Sequence, residues 1–281
     1  MHTKRELLQS LQRHGLRLSK RFGQHFLIDP GLCRSLVARC GLSREDRIVE
    51  IGPGLGALTS LLAEAAGEVL AVEIDQGFCR ALQERIAAHA NVRVLCQDIL
   101  EFPWTDVPAA KVIGAIPYHI TSPILAMLCQ QARRVPEAWL GLQQEVGERV
   151  MAGPGTKTYG RLSILLQYHF ETRRVIKISR QAFFPQPEVD SIWLHLRARS
   201  APAVTVRNEA LFFDVTRVAF GQRRKMLLNC LLQLSRPALT RPAAADALRN
   251  AGLPPTIRGE MLSLDQFARL TDVLEPLFRS S

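Results

Sequence analysis

Between Asp46 and Gln143 the apolar positions alternate between short continuous runs and runs spaced for one face of a helix. Arg47 to Ile51 reads as a first strand and Ala57 to Ala65 as a helix. Glu68 to Val72 is a second strand, followed by a helix from Gln76 to Ala88. Val92 to Cys96, Lys111 to Gly114 and Trp139 to Leu142 supply three more strands. Strands alternating with amphipathic helices predict an α/β domain, a doubly wound parallel sheet with helices on both faces. After Glu145 the pattern changes: Val146 to Met151 and Tyr159 to Phe170 read as helices around a Gly/Pro loop, and Val175 to Ile178 and Ile192 to Leu196 as an antiparallel pair closing the sheet. Ser200-Ala201-Pro202 reads as a linker. From Asn208 the chain reads as helices broken at Pro237, Pro242 and Pro254-Pro255, a small all-helical domain. The expected organisation is a basic N-terminal segment at 1–22, an α/β domain at 23–200 and a helical domain at 201–281.

The first strand runs into Gly52-Pro53-Gly54-Leu55-Gly56, and Glu73 ends the second strand about 20 positions on. Closely spaced glycines let backbone approach a ligand, and an acidic residue at that distance can hold a ribose diol. Gly52, Gly54 and Ala57 also satisfy a dinucleotide fingerprint, so a nicotinamide cofactor and S-adenosylmethionine both remain open on this motif. Asp98, just past the third strand, can accept a hydrogen bond from an adenine amine. The fourth strand ends in Ile116-Pro117-Tyr118, which can offer a carbonyl and an aromatic face to a second base. Ligands of such sheets bind beyond the carboxyl ends of the strands, and Gly52, Glu73, Asp98 and Tyr118 all fall on that rim. This convergence favours S-adenosylmethionine.

Charge extends the picture to a partner. The 281 residues carry a formal charge of +10 and a pI near 9.8, which favours nucleic acid first and an anionic membrane surface second. The N-terminal cations, Lys4 to Arg21, fit either a solvated helical extension or a phosphate-contacting arm. Six cysteines without a C-x-x-C pair predict neither disulfides nor a metal site. No signal peptide and no membrane-spanning run is visible, so a cytoplasmic protein is expected.

Read together, the motifs resemble those of the KsgA-type rRNA adenine N6-dimethyltransferases over nearly the whole chain. They are Gly23-Gln24-His25-Phe26-Leu27, Val49 to Thr59, Val72-Glu73-Ile74-Asp75, Gln97-Asp98, Ile116-Pro117-Tyr118, Tyr159 to Ser163, Phe184 to Ser191 and Phe220 to Lys225. The resemblance implies a Rossmann-like class I methyltransferase sheet with a helical C-terminal domain and S-adenosylmethionine as donor. It implies two adjacent adenosines near the 3' end of small-subunit rRNA as substrate, met on a pre-small-subunit ribosomal particle, and a monomer. Carried onto this chain, the cofactor positions are Gln24, His25, Leu27, Gly52, Gly54, Glu73, Ile74, Asp98, Ile99 and Ala115. The target base falls to Ala115, Ile116, Pro117, Tyr118 and Phe183, with Tyr118 and Phe183 expected on its two faces. Phosphate contacts fall to Arg21, Arg223, Arg224 and Lys225. The last three are expected in the first turn of a helix, where positive charge opposes the macrodipole and so would serve a ligand rather than stability.

One position departs from the family. Its fourth-strand motif carries Asn where this chain has Ala115, and that side chain accepts a hydrogen bond from the target amine beside the carbonyl of the next residue, here Ile116. Loss of one such acceptor is worth roughly 1–3 kcal/mol, about 10- to 100-fold in rate. Two other readings therefore stand beside an active methyltransferase: an assembly or RNA-binding factor on a methyltransferase scaffold, and a nicotinamide-dependent oxidoreductase. Large-subunit rRNA is the substrate-level alternative.

Overall fold

The structure, a computed structural model, describes residues 3–18, 23–234 and 239–279. Its strands are β1 (Phe26–Leu27), β2 (Arg47–Ile51), β3 (Glu68–Glu73), β4 (Val92–Cys96), β5 (Lys111–Ala115), β6 (Glu137–Gln143), β7 (Phe170–Ile178), β8 (Phe183–Phe184) and β9 (Ser191–Ala198). The helices are α1 (Lys4–Arg13), α2 (Pro30–Ala38), α3 (Thr59–Ala65), α4 (Gln76–Arg85), α5 (Thr121–Gln130), α6 (Gln144–Met151), α7 (Arg161–His169), α8 (Glu209–Gly221), α9 (Leu227–Leu231), α10 (Arg241–Asn250) and α11 (Leu264–Arg279).

Seven strands form one sheet in the order β4-β3-β2-β5-β6-β9-β7. Strands β2 to β6 pair in parallel and β9 runs antiparallel to β6, with Trp139 opposite His195 and Gln143 opposite Ser191. The central strands are apolar on both sides because helices cover both, which is why they read as continuous runs rather than alternating ones. Ile48, Val49, Val69, Val112, Ile113 and Leu140 are buried. Local signals fix the helix starts that aim at the rim: Asp29 caps α2 through the Leu32 amide ahead of Pro30, and Asp75 caps α4 through the Gly77 and Phe78 amides.

A two-residue ribbon lies outside the main sheet. In it β1 pairs with β8, Phe26 opposite Phe184 and Leu27 opposite Phe183, which binds the segment after Gly23 to the proline-rich loop. Helix α1 does not stand apart as a separate segment. Its Leu7 and Leu11 are buried in a cluster with Leu55, Phe78 and Ala81, beside the glycine loop and α4.

The chain divides into two compact units. One takes the described residues up to Gly147 with Glu171–Ala198, and the other takes Glu148–Phe170 with those from Arg199 onward. The boundaries expected from sequence shift accordingly, because Tyr159, Ile164 and Tyr168 bury into the same core as Phe212, Leu231 and Phe267. Pro242 is not a break either: it occupies the first turn of α10 behind the Thr240 cap, where its missing N–H costs nothing. Pro237 lies outside the described residues, and α11 carries Pro276 within it.

Candidate active site

At the end of β2 the chain turns through Gly52, Gly54 and Gly56 with φ of 63°, 56° and 82°, a left-handed conformation that only glycine adopts cheaply. At Gly54 space is as restrictive as conformation: a Cβ there would lie 2.6 Å from the Phe26 ring. The loop is held by the carboxylate that closes β3. Glu73 accepts the Gly54 amide on Oε2 and the Asp75 amide on Oε1, both at 3.0 Å. Its own carbonyl accepts the Gln97 amide at 2.9 Å, tying the ends of β3 and β4 together. Burial pushes the Glu73 carboxyl above the usual range while the two amides pull it back. Each oxygen has lone-pair capacity beyond its single amide bond, so the group can still accept a diol.

Asp98 follows β4, and its Oδ1 accepts the Leu100 amide at 2.9 Å, which fixes the carboxylate at the start of a short 3-10 turn with Ile99 buried beneath. Past β5, the Ile116 amide donates to the Gly141 carbonyl at 3.0 Å and the Thr121 hydroxyl to the Pro117 carbonyl at 3.2 Å, so the Ala115-Ile116-Pro117-Tyr118 turn is anchored on both sides. The Tyr118 hydroxyl lies 3.0 Å from Ser191 Oγ. Its ring stacks on His25 with centroids 5.3 Å apart and planes at 29°. His25 Nδ1 sits 2.7 Å from the Pro185 carbonyl, an atom that can only accept, so Nδ1 carries the hydrogen.

These ends enclose a cavity of about 360 Å³. Every residue proposed from sequence for cofactor or base lines it: Gln24, His25, Leu27, Gly52, Gly54, Glu73, Ile74, Asp98, Ile99, Ala115, Ile116, Pro117, Tyr118 and Phe183. Phe183 is only 5% exposed, packed in the β1–β8 ribbon, and lines the cavity. Ala115 is half-buried beside Gly141, whose Cβ, if present, would be 3.3 Å from the Ala115 Cα. Two small residues on adjacent strands leave no side-chain acceptor at this point of the wall.

Sequence reasoning gave no role to Glu50, Gln97, His119 or Ser191, which also line the cavity. Glu50 carried a signal, an acidic residue inside an apolar strand. It is 2% exposed with Oε2 lacking a partner, and burial, reinforced by the Glu73 charge, pushes its carboxyl up to about 8.

The cationic positions fare differently. Arg21 lies outside the described residues. Arg223 donates from Nε and Nη2 to Glu260 at 3.1 and 2.9 Å, while Arg224 and Lys225 are exposed. All three lie in the turn after α8 and before α9, not in the first turn of a helix. Following the C-terminus of a 13-residue helix, positive charge complements the macrodipole, so the expected electrostatic penalty is absent and stability alone can account for part of the run. Among the described residues no cluster of His, Cys, Asp or Glu is arranged to hold a metal, and no helix is long and apolar enough to cross a membrane.

A family model described as ribosomal RNA adenine dimethylase matches residues 15–267. The chain belongs to the ribosomal RNA adenine dimethylase family. It is 40% identical over 277 residues to the Ribosomal RNA small subunit methyltransferase A of Anoxybacillus flavithermus, covering 95% of this chain and 94% of the relative. Among solved structures it resembles the 23S rRNA methyltransferase ErmE, with 28% identity, a TM-score of 0.67, and coverage of 89% of this chain and 99% of that one. A dimethyladenosine transferase from Plasmodium falciparum, 23% identical over 86% of this chain and 94% of its own, shares the fold with a TM-score of 0.74. Membership makes the chain a methyltransferase of the class I fold and implies an S-adenosylmethionine-type methyl donor. The cavity fits such a donor: a loop whose Gly52 and Gly54 bring bare backbone to the cavity faces a buried carboxylate pinned by two amides, next to a second carboxylate at the adjoining strand end.

Proposed function

We propose that this family member transfers methyl groups from S-adenosylmethionine to N6 of two adjacent adenosines near the 3' end of small-subunit rRNA. It acts as a monomer in the cytoplasm on a pre-small-subunit particle. The observation that carries the reading is the convergence of the strand-end residues on one cavity, with the Glu73 and Asp98 carboxylates on the β3 and β4 side and an aromatic turn on the β5 side. Bound there, the donor supplies an electrophilic methyl group. Glu73 holds the ribose hydroxyls and Asp98 the adenine amine. Tyr118 offers its ring to the extruded target base, Phe183 closes on the base from the cavity wall, and the Ile116 carbonyl accepts from the target amine. The +10 charge draws the chain to RNA, with Arg224 and Lys225 free to reach phosphates.

Ala115 supports a second reading within the same family, a weakened catalyst or a scaffold for ribosome assembly. Methyl transfer from labelled S-adenosylmethionine onto unmodified small-subunit particles separates the two. An active enzyme incorporates label, and Ala115→Asn, by restoring an acceptor, raises its single-turnover rate about 10- to 100-fold with dissociation constants unchanged. No incorporation by either protein leaves the scaffold, and incorporation at an equal rate by both removes the handicap.

A further inference from the structure

Ser191 takes no part in the proposed contacts to donor or base. It opens β9, is 1% exposed, and stands in register with Gln143 at the rim end of β6. The residue before it is pinned as well, because the Gln144 amide donates to the Asp190 carbonyl at 3.0 Å. The Ser191 backbone is therefore held in place, its hydroxyl lies 3.0 Å from the Tyr118 hydroxyl, and both side chains line the cavity.

Tyr118 needs such a tether. It begins a three-residue 3-10 turn that has no side-chain cap, and a ring on so short an element can swing about its own side-chain bonds. Two contacts hold it. His25 packs on the ring, itself held through Nδ1 by the Pro185 carbonyl. Ser191 holds the far end of the phenol. Burial raises the Tyr118 hydroxyl above its usual value, so it keeps its proton at neutral pH and the pair stays a neutral hydrogen bond. With His25 on the ring, the remaining surface of Tyr118 is the part a base can use, and its plane is set by the two tethers.

We propose that Ser191 is a positioning residue for methyl transfer, holding the Tyr118 ring in the plane on which the target adenine stacks. The proposal rests on the reading of Tyr118 as the base platform. It carries particular weight in this chain because Ala115 offers no side-chain acceptor, which leaves the amine's placement to the ring plane and the Ile116 carbonyl.

Tyr118→Phe and Ser191→Ala remove the same hydrogen bond from its two ends, the former with little change in packing. Each is expected to lower the single-turnover rate on saturating RNA about 5- to 10-fold, with cofactor dissociation constant and melting temperature near wild type. Because one bond is lost in either case, the double variant should be no slower than the slower single variant. Ser191→Thr, which keeps a hydroxyl, should recover most of the rate. A second readout uses RNA with 2-aminopurine at the target position: its fluorescence, quenched when stacked on wild-type protein, should be less quenched in both single variants. Multiplicative losses in the double variant, or a loss at Ser191 that follows melting temperature and cofactor affinity instead of rate and quenching, would overturn the proposal. Tyr118→Ala separates the two levels: if it loses rate while Tyr118→Phe and Ser191→Ala do not, the tether is wrong and the platform stands. If Tyr118→Ala keeps full rate, the platform reading fails first.

Discussion

Glu50 allows a test of the cavity's electrostatics that needs neither cofactor nor RNA. Its carboxyl is buried at the end of β2 with Oε2 unpartnered and Glu73 nearby, and it titrates at about 8 in the fold against 4.5 for an ordinary glutamate. A group whose folded value is raised binds its proton more tightly when folded, so its contribution is fully present below the unfolded value and disappears as pH rises through the folded one. Between about pH 5 and 8 the unfolded chain has lost this proton and the folded chain keeps it. Stability should then fall by up to about 1.4 kcal/mol per pH unit, on the order of 3 kcal/mol across the window. Glu50→Gln preserves shape and cannot ionise. Other titrating groups are shared by both proteins, so they cancel in the difference between the two. The measurement is urea unfolding of both proteins at matched pH, followed through the α/β unit. We expect the variant to gain on the wild type steadily from pH 5 to 8. A difference that stays constant with pH would show that Glu50 is ionised in the fold and refute the reasoning.

Glu73→Ala should weaken S-adenosylmethionine binding at least 10-fold, since it removes a charged acceptor worth about 1.5–3 kcal/mol per bond and frees the Gly54 amide; unchanged affinity by calorimetry would displace Glu73 from the site. Tyr118→Ala and Phe183→Ala should each lower methylation, because a stacked aromatic contributes roughly 1–3 kcal/mol per base; full activity in Phe183→Ala alone would reduce the two-sided clamp to one ring. Neutralising Arg224 and Lys225 together should flatten the salt dependence of RNA binding by roughly 1.5 to 2 units of slope, and Arg223→Ala should change stability more than that slope because Glu260 already holds it. An equal change of slope from Arg223 would reverse that division.

What was legible in the sequence follows from which forces act locally. Strand β2 runs from Arg47 to Ile51 as expected, because a parallel strand covered on both faces is written as a short, mainly apolar run, here Ile48, Val49 and Ile51 around the buried Glu50. The rim residues were legible because strand ends in this topology converge whatever the loops do. The helix at Arg161–His169 was legible as a helix but not by its unit, since an apolar stripe does not name the core that covers it. The β1–β8 ribbon left no trace, because two residues have no period. The pairing of Arg223 with Glu260 was not legible, because a charge pattern cannot show a partner 37 positions on.

The ribbon between β1 and β8 has a consequence for synthesis. The wall that carries His25 and Leu27 is completed by residues 183–191, so a chain emerging from the ribosome can have its glycine loop, Glu73 and Asp98 in place while the base side of the cavity is still unmade. Closing so long a loop is entropically slow compared with pairing neighbouring strands. Glu73 and Asp98 would be in place first and the wall with His25, Leu27 and the tethered Tyr118 last, so that a truncated or stalled nascent chain would present the two carboxylates without having anywhere to seat the target adenine.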